Sequence, residues 1–122
     1  MSKKLLGRAF VRVNGNTLAS LPGTAKLRIG GMARTPINGD SGYLGYTEKF
    51  VNSEISLEYA VDELTDPIAL NDVKDAVVTF EADTGQVWVI RNATASGAED
   101  NEVSSGEGKA TIKFFGDAAQ QV

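Results

Sequence analysis

The chain has 122 residues, a formal net charge of -4, and neither cysteine nor histidine. One domain of this length can bury a core unaided, and the two missing residue types remove disulfides, thiolate zinc sites, the thiol nucleophile and the commonest general base. Charge is polarised, with eight Lys/Arg against two acids in residues 1–50 and four against fourteen in residues 51–122, which favours head-to-tail contact between copies.

Residues 1–10, MSKKLLGRAF, open with a basic pair but lack the apolar run of a signal peptide. No segment approaches the length of a membrane span, so the chain is expected to stay soluble, without membrane insertion. Residues 8–13, RAFVRV, alternate with Ala9, Val11 and Val13 on one face, and Asn14-Gly15-Asn16 supplies a hairpin turn. After the breaker Leu21-Pro22-Gly23, residues 24–29 alternate again, with Ala25, Leu27 and Ile29 opposite Lys26 and Arg28. Residues 34–50 then read as one long loop, whose most distinctive part is INGDSGYLGYTEKF over 37–50. A loop of that length is usually functional or disordered. Tyr43 and Tyr46 argue for the first, because a tyrosine joins a large apolar face to a polar handle at small entropic cost.

Residues 52–61 carry the cleanest period of two, with Ile55, Leu57, Tyr59 and Val61 against Asn52, Glu54, Ser56 and Glu58. Thr65-Asp66-Pro67 is a helix start, and Ile68, Leu70, Val73 and Val77 continue at roughly helical spacing, which predicts a short helix over 66–75. Residues 76–82 and 86–95 flank the turn Asp83-Thr84-Gly85 and read as a second hairpin, buried on both faces at Val87, Trp88, Val89 and Ile90. Residues 96–108 read as a mobile acidic connection, 109–115 as the last strand, and 117–122 as a flexible tail. The fold class expected is mainly β, a sandwich or small barrel of six or seven strands with one short α-helix, spanning 1–122 as a single domain.

No arrangement of side chains points to catalysis, and no enzyme activity is expected. Glu54 and Glu58, four apart on one strand face, lie roughly 13 Å from each other, beyond either glycosidase geometry. Glu99, Asp100, Glu102 and Glu107 match no calcium loop, and the glycines of residues 39–45 have neither dinucleotide nor P-loop spacing, so no metal and no cofactor is expected. Lys26, Arg28, Arg34, Tyr43 and Tyr46 have the composition of a nucleic-acid face, but the acidic total argues against tight wrapping. Assembly surface is what remains. Lys26, Arg28, Glu54, Glu58, Lys109 and Lys113 sit on strands that otherwise pack well, and strands shared among copies would close a watery lumen and remove their own edges.

The loop INGDSGYLGYTEK, the strand FVNSEISLEYAVDE, the run PIALNDVKDAVVTFEADTGQVWVIRNATAS and the closing EVSSGEGKATIKFFG together resemble the tail tube proteins of Mu-like bacteriophages, from about Leu5 to Gly116. The resemblance implies hexameric rings stacked into a hollow conduit for phage DNA. It implies an inter-ring role for the early loop, carried here to Arg34, Asn38, Asp40, Tyr43, Leu44, Tyr46, Glu48 and Lys49. It also implies a lumen lined from the inner sheets, with Lys26, Arg28, Glu54, Ser56, Glu58, Lys109, Thr111 and Lys113 as candidates. The partners implied are further copies of the chain, a tail initiator or baseplate, a tail terminator, a tape measure protein, a sheath where the tail contracts, and DNA in transient passage. The place implied is the virion tail, assembled in the host cytoplasm. Two alternatives stand beside this reading: a related tube of a secretion or injection device, and a monomeric module that binds a protein or glycan through the tyrosine loop. Four cations among the lumen candidates stand against a slippery bore, since each lysine or arginine that reaches a phosphate adds affinity for DNA.

Overall fold

A computed structural model describes residues 2–97 and 99–122. The chain begins with β1 (Ala9–Val13) and β2 (Asn16–Leu18), an antiparallel pair joined at Asn14 and Gly15. Both turn residues have positive φ, 51° and 86°, the backbone that a two-residue hairpin between twisted strands requires. Short β3 (Lys26–Arg28) precedes β4 (Gly31–Gly39), β5 (Gly42–Val51) and β6 (Ser53–Ala60). Helix α1 (Pro67–Asn71) leads to β7 (Ala76–Ala82), β8 (Val87–Ala95), β9 (Glu102–Ser104), β10 (Lys109–Gly116) and β11 (Gln120–Gln121). The fold is mainly β with one short helix, as expected. The strands among the described residues number eleven rather than six or seven, because residues read as turn, loop, connection and tail form short β2, β9 and β11 and the long pair β4 and β5.

Nine strands form one antiparallel sheet whose path runs β2-β1-β7-β8-β10-β6-β3. β8 turns the corner: Val87 to Ala93 pair with β7, while Thr94 and Ala95 pair with β10. At that corner Asn92 has φ 55°, and Gly116 approaches so closely that a Cβ there would lie 2.8 Å from Ile90 Cγ2 and 2.9 Å from the Arg91 carbonyl oxygen. The far ends of the path meet again, since Ala60 N–H donates to Ala19 O and Leu21 N–H to Glu58 O, both at 2.8 Å. The sandwich therefore folds round toward a barrel. Its interior holds Val11, Ile55, Leu57, Tyr59, Val78, Phe80, Ile90, Ile112 and Phe114. Each large apolar side chain buried there is worth about 1.5–3 kcal/mol. The Tyr59 hydroxyl donates to Asn101 Oδ1 at 3.1 Å, and burial pushes its pKa up.

Several segments are more ordered than their composition predicts. Residues 34–50 are not a loop: β4 and β5 pair antiparallel along their whole length, with Asp40 and Ser41 as the turn. The acidic run 96–108 is pinned in part, because β9 pairs with β10 and the Asn101 amide donates to Pro67 O and Asn71 Oδ1, both at 2.8 Å. The C-terminal tail adds β11 to β8 opposite Val89 and Trp88, and Ser53 Oγ donates to Asp117 O. Helix α1 is shorter than the predicted 66–75. Asp66 caps it by accepting from Ala69 N at 3.2 Å, but Asp75, at φ 50°, turns the chain into β7. Of the apolar positions predicted for the helix, Leu70 and Val73 reach the core, while Ile68 and Val77 face outward. Trp88 is likewise only partly buried. It leans on Phe80 at a centroid distance of 5.9 Å on the core side of β8, while Val87 and Val89, on the opposite face of the strand, are partly buried too.

Candidate functional site

Two surfaces gather the residues predicted to matter. The first is the β4–β5 hairpin, whose paired strands extend about 30 Å at the usual rise. None of its residues is buried, and only Gly31, Gly39, Gly45 and Val51 are even half-buried. Such an arm has no core of its own. Its register decides what it presents: Met32 stands opposite Phe50, Arg34 opposite Glu48, Pro36 opposite Tyr46 and Asn38 opposite Tyr43, and opposed residues share a face. The other face carries Ala33 with Lys49 and Thr35 with Thr47. A β-bulge after Ile37 leaves Leu44 without a partner. Strict alternation would set Tyr43 on the face opposite Tyr46, and the extra residue brings both onto one side.

The result is a one-sided apolar stripe of Met32, Pro36, Tyr43, Tyr46 and Phe50. Within it Arg34 Nε lies 3.3 Å from Glu48 Oε1, and the guanidinium sits 6.0 Å from the centre of the Tyr46 ring. Asp40 is at the exposed tip, and Leu44 packs its methyls over Gly39. Thus Arg34, Asn38, Tyr43, Tyr46 and Glu48 lie together on one face, while Lys49 points to the other and Asp40 and Leu44 belong to the tip. At the root, Gly30 has φ 82°, and a Cβ there would fall within 2.9 Å of the Val51–Ser53 backbone. Only glycine fits this crossing.

The second surface is the outer face of β3, β6 and β10. Lys26 pairs with Ser56, Arg28 with Glu54, Lys113 with Ser56 and Thr111 with Glu58, so all eight residues predicted for a lumen share one sheet face. Three of the four cations are held by carboxylates. Arg28 lies 3.2 Å from Glu54, Lys113 is 3.9 Å from Glu54 and 3.7 Å from Asp100, and Lys109 is 3.2 Å from Glu107 and 3.3 Å from Glu58. The hydrogen bond to Glu107, followed by that to Glu58, raises the Lys109 pKa. A shallow groove of about 490 Å³ crosses this face, bordered by Lys26, Ser56, Glu58, Thr111 and Lys113 and by Glu99, Asp100 and Glu102 from the acidic run. Carboxylates therefore outnumber cations here. Sequence reasoning missed Asp100 and Glu107 as counter-ions and Asn101 as the tie that holds the run down; their only signal was an acidic segment next to a strand of lysines.

Among the described residues no three carboxylates converge as a metal site, and no helix is long and apolar enough to cross a membrane. A β-sandwich with a coreless arm and an ion-paired, acid-rich sheet face presents the kind of surfaces that an assembling structural subunit needs. The family model for phage tail tube proteins matches residues 2–121. The Mu-like prophage FluMu tail tube protein of Haemophilus influenzae is 28% identical over 114 residues, 93% of this chain and 92% of its own. The tail tube protein of Escherichia phage Mu is 31% identical over 99 residues, 79% and 80% of the two chains. The fold is also that of the anti-feeding prophage tube-terminating cap, at TM-score 0.69 and 11% identity over 100% of this chain and 93% of that one. The sheath/tube terminator of an extracellular contractile injection system is similar at TM-score 0.69 and 13% identity, over 100% and 98%. The chain belongs to the phage tail tube protein family, and it is a structural subunit of a phage tail tube.

Proposed function

We propose that six copies close into a ring, that rings stack into a hollow tube, and that the β4–β5 hairpin crosses from each ring to the next. The observation that carries this reading is the arm itself: an isolated two-stranded hairpin is marginal in water, and this one gathers its aromatics on a single face without burying any of them. Docked against a neighbour, the stripe gains the burial it lacks in the free subunit. The ion-paired face of β3, β6 and β10 lines the bore. Arg28, Lys109 and Lys113, already engaged by carboxylates, are poor phosphate ligands, and the surplus of acid around them repels DNA in passage. The role is mechanical rather than catalytic. The partners are the proteins that start, cap and span such a tube: an initiator or baseplate, a terminator, a tape measure protein and, in a contractile tail, a sheath. Assembly takes place in the host cytoplasm and ends in the virion.

Negative-stain microscopy of the purified protein, with and without an initiator complex, tests the reading. Tubes of uniform bore are expected from the natural chain, and folded subunits or single rings without tubes from Tyr43→Ala/Tyr46→Ala. Monomers under every assembly condition would overturn it.

A further inference from the structure

Two apolar features lie outside both surfaces. The first is a groove of about 440 Å³ along the seam between β1 and the start of β3, lined by Leu6, Phe10, Leu21, Pro22, Ala25 and Phe80. One wall is the N-terminal strap, fixed by Asp83. That carboxylate accepts from Gly7 N at 3.2 Å and Arg8 N at 3.0 Å, and Lys4 Nζ donates to the Asp83 carbonyl at 3.2 Å. With Asp83 turned to the strap's backbone, Arg8 lines the groove and the exposed strap that leads into it carries Lys3 and Lys4, so this side is basic.

The second feature is a knob before and within α1. Leu64 is 90% exposed and Ile68 74% exposed, four residues apart. The turn that carries them is rigid, since Asp62 Oδ1 accepts from Leu64 N and Thr65 Oγ1, both at 2.9 Å. Asp62, Glu63, Asp66 and Asp72 accompany the pair in the same segment, and no lysine or arginine occurs between residues 62 and 73. The knob is thus apolar with an acidic rim, and the groove apolar with a basic one. They lie toward opposite ends of β7, which follows α1 at Ala76 and reaches the groove at Phe80.

We infer that the Leu64–Ile68 knob of one copy seats in the Leu6–Phe10–Pro22 groove of the next copy within a ring. Distinct, complementary patches on one chain make a heterologous contact, and repetition of such a contact closes a ring or extends a filament. Opposite rims steer the encounter and penalise the reversed arrangement, in which like charges meet. The hairpin stripe is a poorer occupant of the groove, because Arg34 and Glu48 neutralise each other there and leave no net charge to meet the basic rim. The inference rests on the ring reading above and assigns the lateral contact that the hairpin does not make.

Charge exchange tests it. Glu63, Asp72, Lys3 and Arg8 have side chains free of intramolecular bonds among the described residues, so their variants should keep the native circular dichroism. Neither Glu63→Lys/Asp72→Lys nor Lys3→Glu/Arg8→Glu alone should form rings, with the assembled fraction down about tenfold or more by sedimentation. An equimolar mixture should restore them in part, because at every second contact the natural acidic knob of one variant then meets the natural basic groove of the other. Rings formed undiminished by both variants alone would overturn the knob-in-groove contact and leave the ring reading standing. Loss of rings without rescue in the mixture would overturn the charge pairing. A natural chain that never forms rings would overturn both.

Discussion

β5 and β6 are consecutive strands separated by one residue, yet they have opposite fates. Ser53, Ile55, Leu57 and Tyr59 of β6 are buried in strict alternation, whereas no residue of β5 is buried at all. The backbone is extended and antiparallel-paired in both. What differs is the source of stability: β6 has the core behind it, while β5 has only β4 and the cross-strand pairs between them. A domain can hold a coreless strand pair while the core behind its neighbour keeps the rest of the chain folded.

Substitutions on the two sides should separate these sources. Phe114→Ala, opposite Ile55 in the ladder and fully buried, is expected to cost about 3–5 kcal/mol in denaturant unfolding of the free subunit. Tyr46→Ala, on the arm, should change it by no more than about 0.5 kcal/mol. Equal losses would mean that the arm folds back onto the body in solution. Trp88→Ala should fall clearly below Phe114→Ala, because Trp88 is only partly buried. Gly30→Ala acts at the joint between the regions. Forcing a side chain into φ 82° against the Val51–Ser53 backbone should cost about 1–3 kcal/mol, and hydrogen exchange should quicken at β4 and β5 before it does in β6. Uniform quickening would mean that arm and body unfold as one unit.

The same contrast explains what could be read from the sequence. β6 was legible because one face is dry, and a dry face imposes a period of two on the residue types. The arm left no such trace: neither of its faces is buried within the chain, Pro36 and four glycines break the β signature over residues 31–51, and the bulge at Leu44 interrupts the phase. Pro36 is tolerated because both strands of a two-stranded sheet are edges. The glycines flanking Asp40-Ser41 were the one local sign of a tight turn. The eight lumen candidates were found on one face because they came from strands with a readable period. Their counter-ions Asp100 and Glu107 were not found, since long-range pairing of β9 with β10 decides where an acidic run lies. The tail at 117–122 was misread for the same reason, since two glutamines carry no pattern and the ladder opposite Trp88 and Val89 orders them.

The smallest effect distinguishes charge from packing on the ion-paired face. Lys109 has its pKa raised in the folded state by Glu107 and then Glu58, so its ion pairs stabilise the fold fully at pH values below the ordinary lysine value. That contribution is lost as pH climbs through the raised one. Lys109→Met keeps the aliphatic stem and removes the charge. The melting-temperature gap between the natural subunit and Lys109→Met should hold steady from neutral to mildly alkaline pH, then narrow as Lys109 deprotonates, while the gap for Tyr46→Ala shows no step in that window from this group. A Lys109→Met gap that persisted above the transition would assign the role of Lys109 to its stem rather than its ammonium. Closure of the gap would identify the charge as what the face holds in place, and a cation held by two carboxylates is one that passing phosphates do not easily recruit.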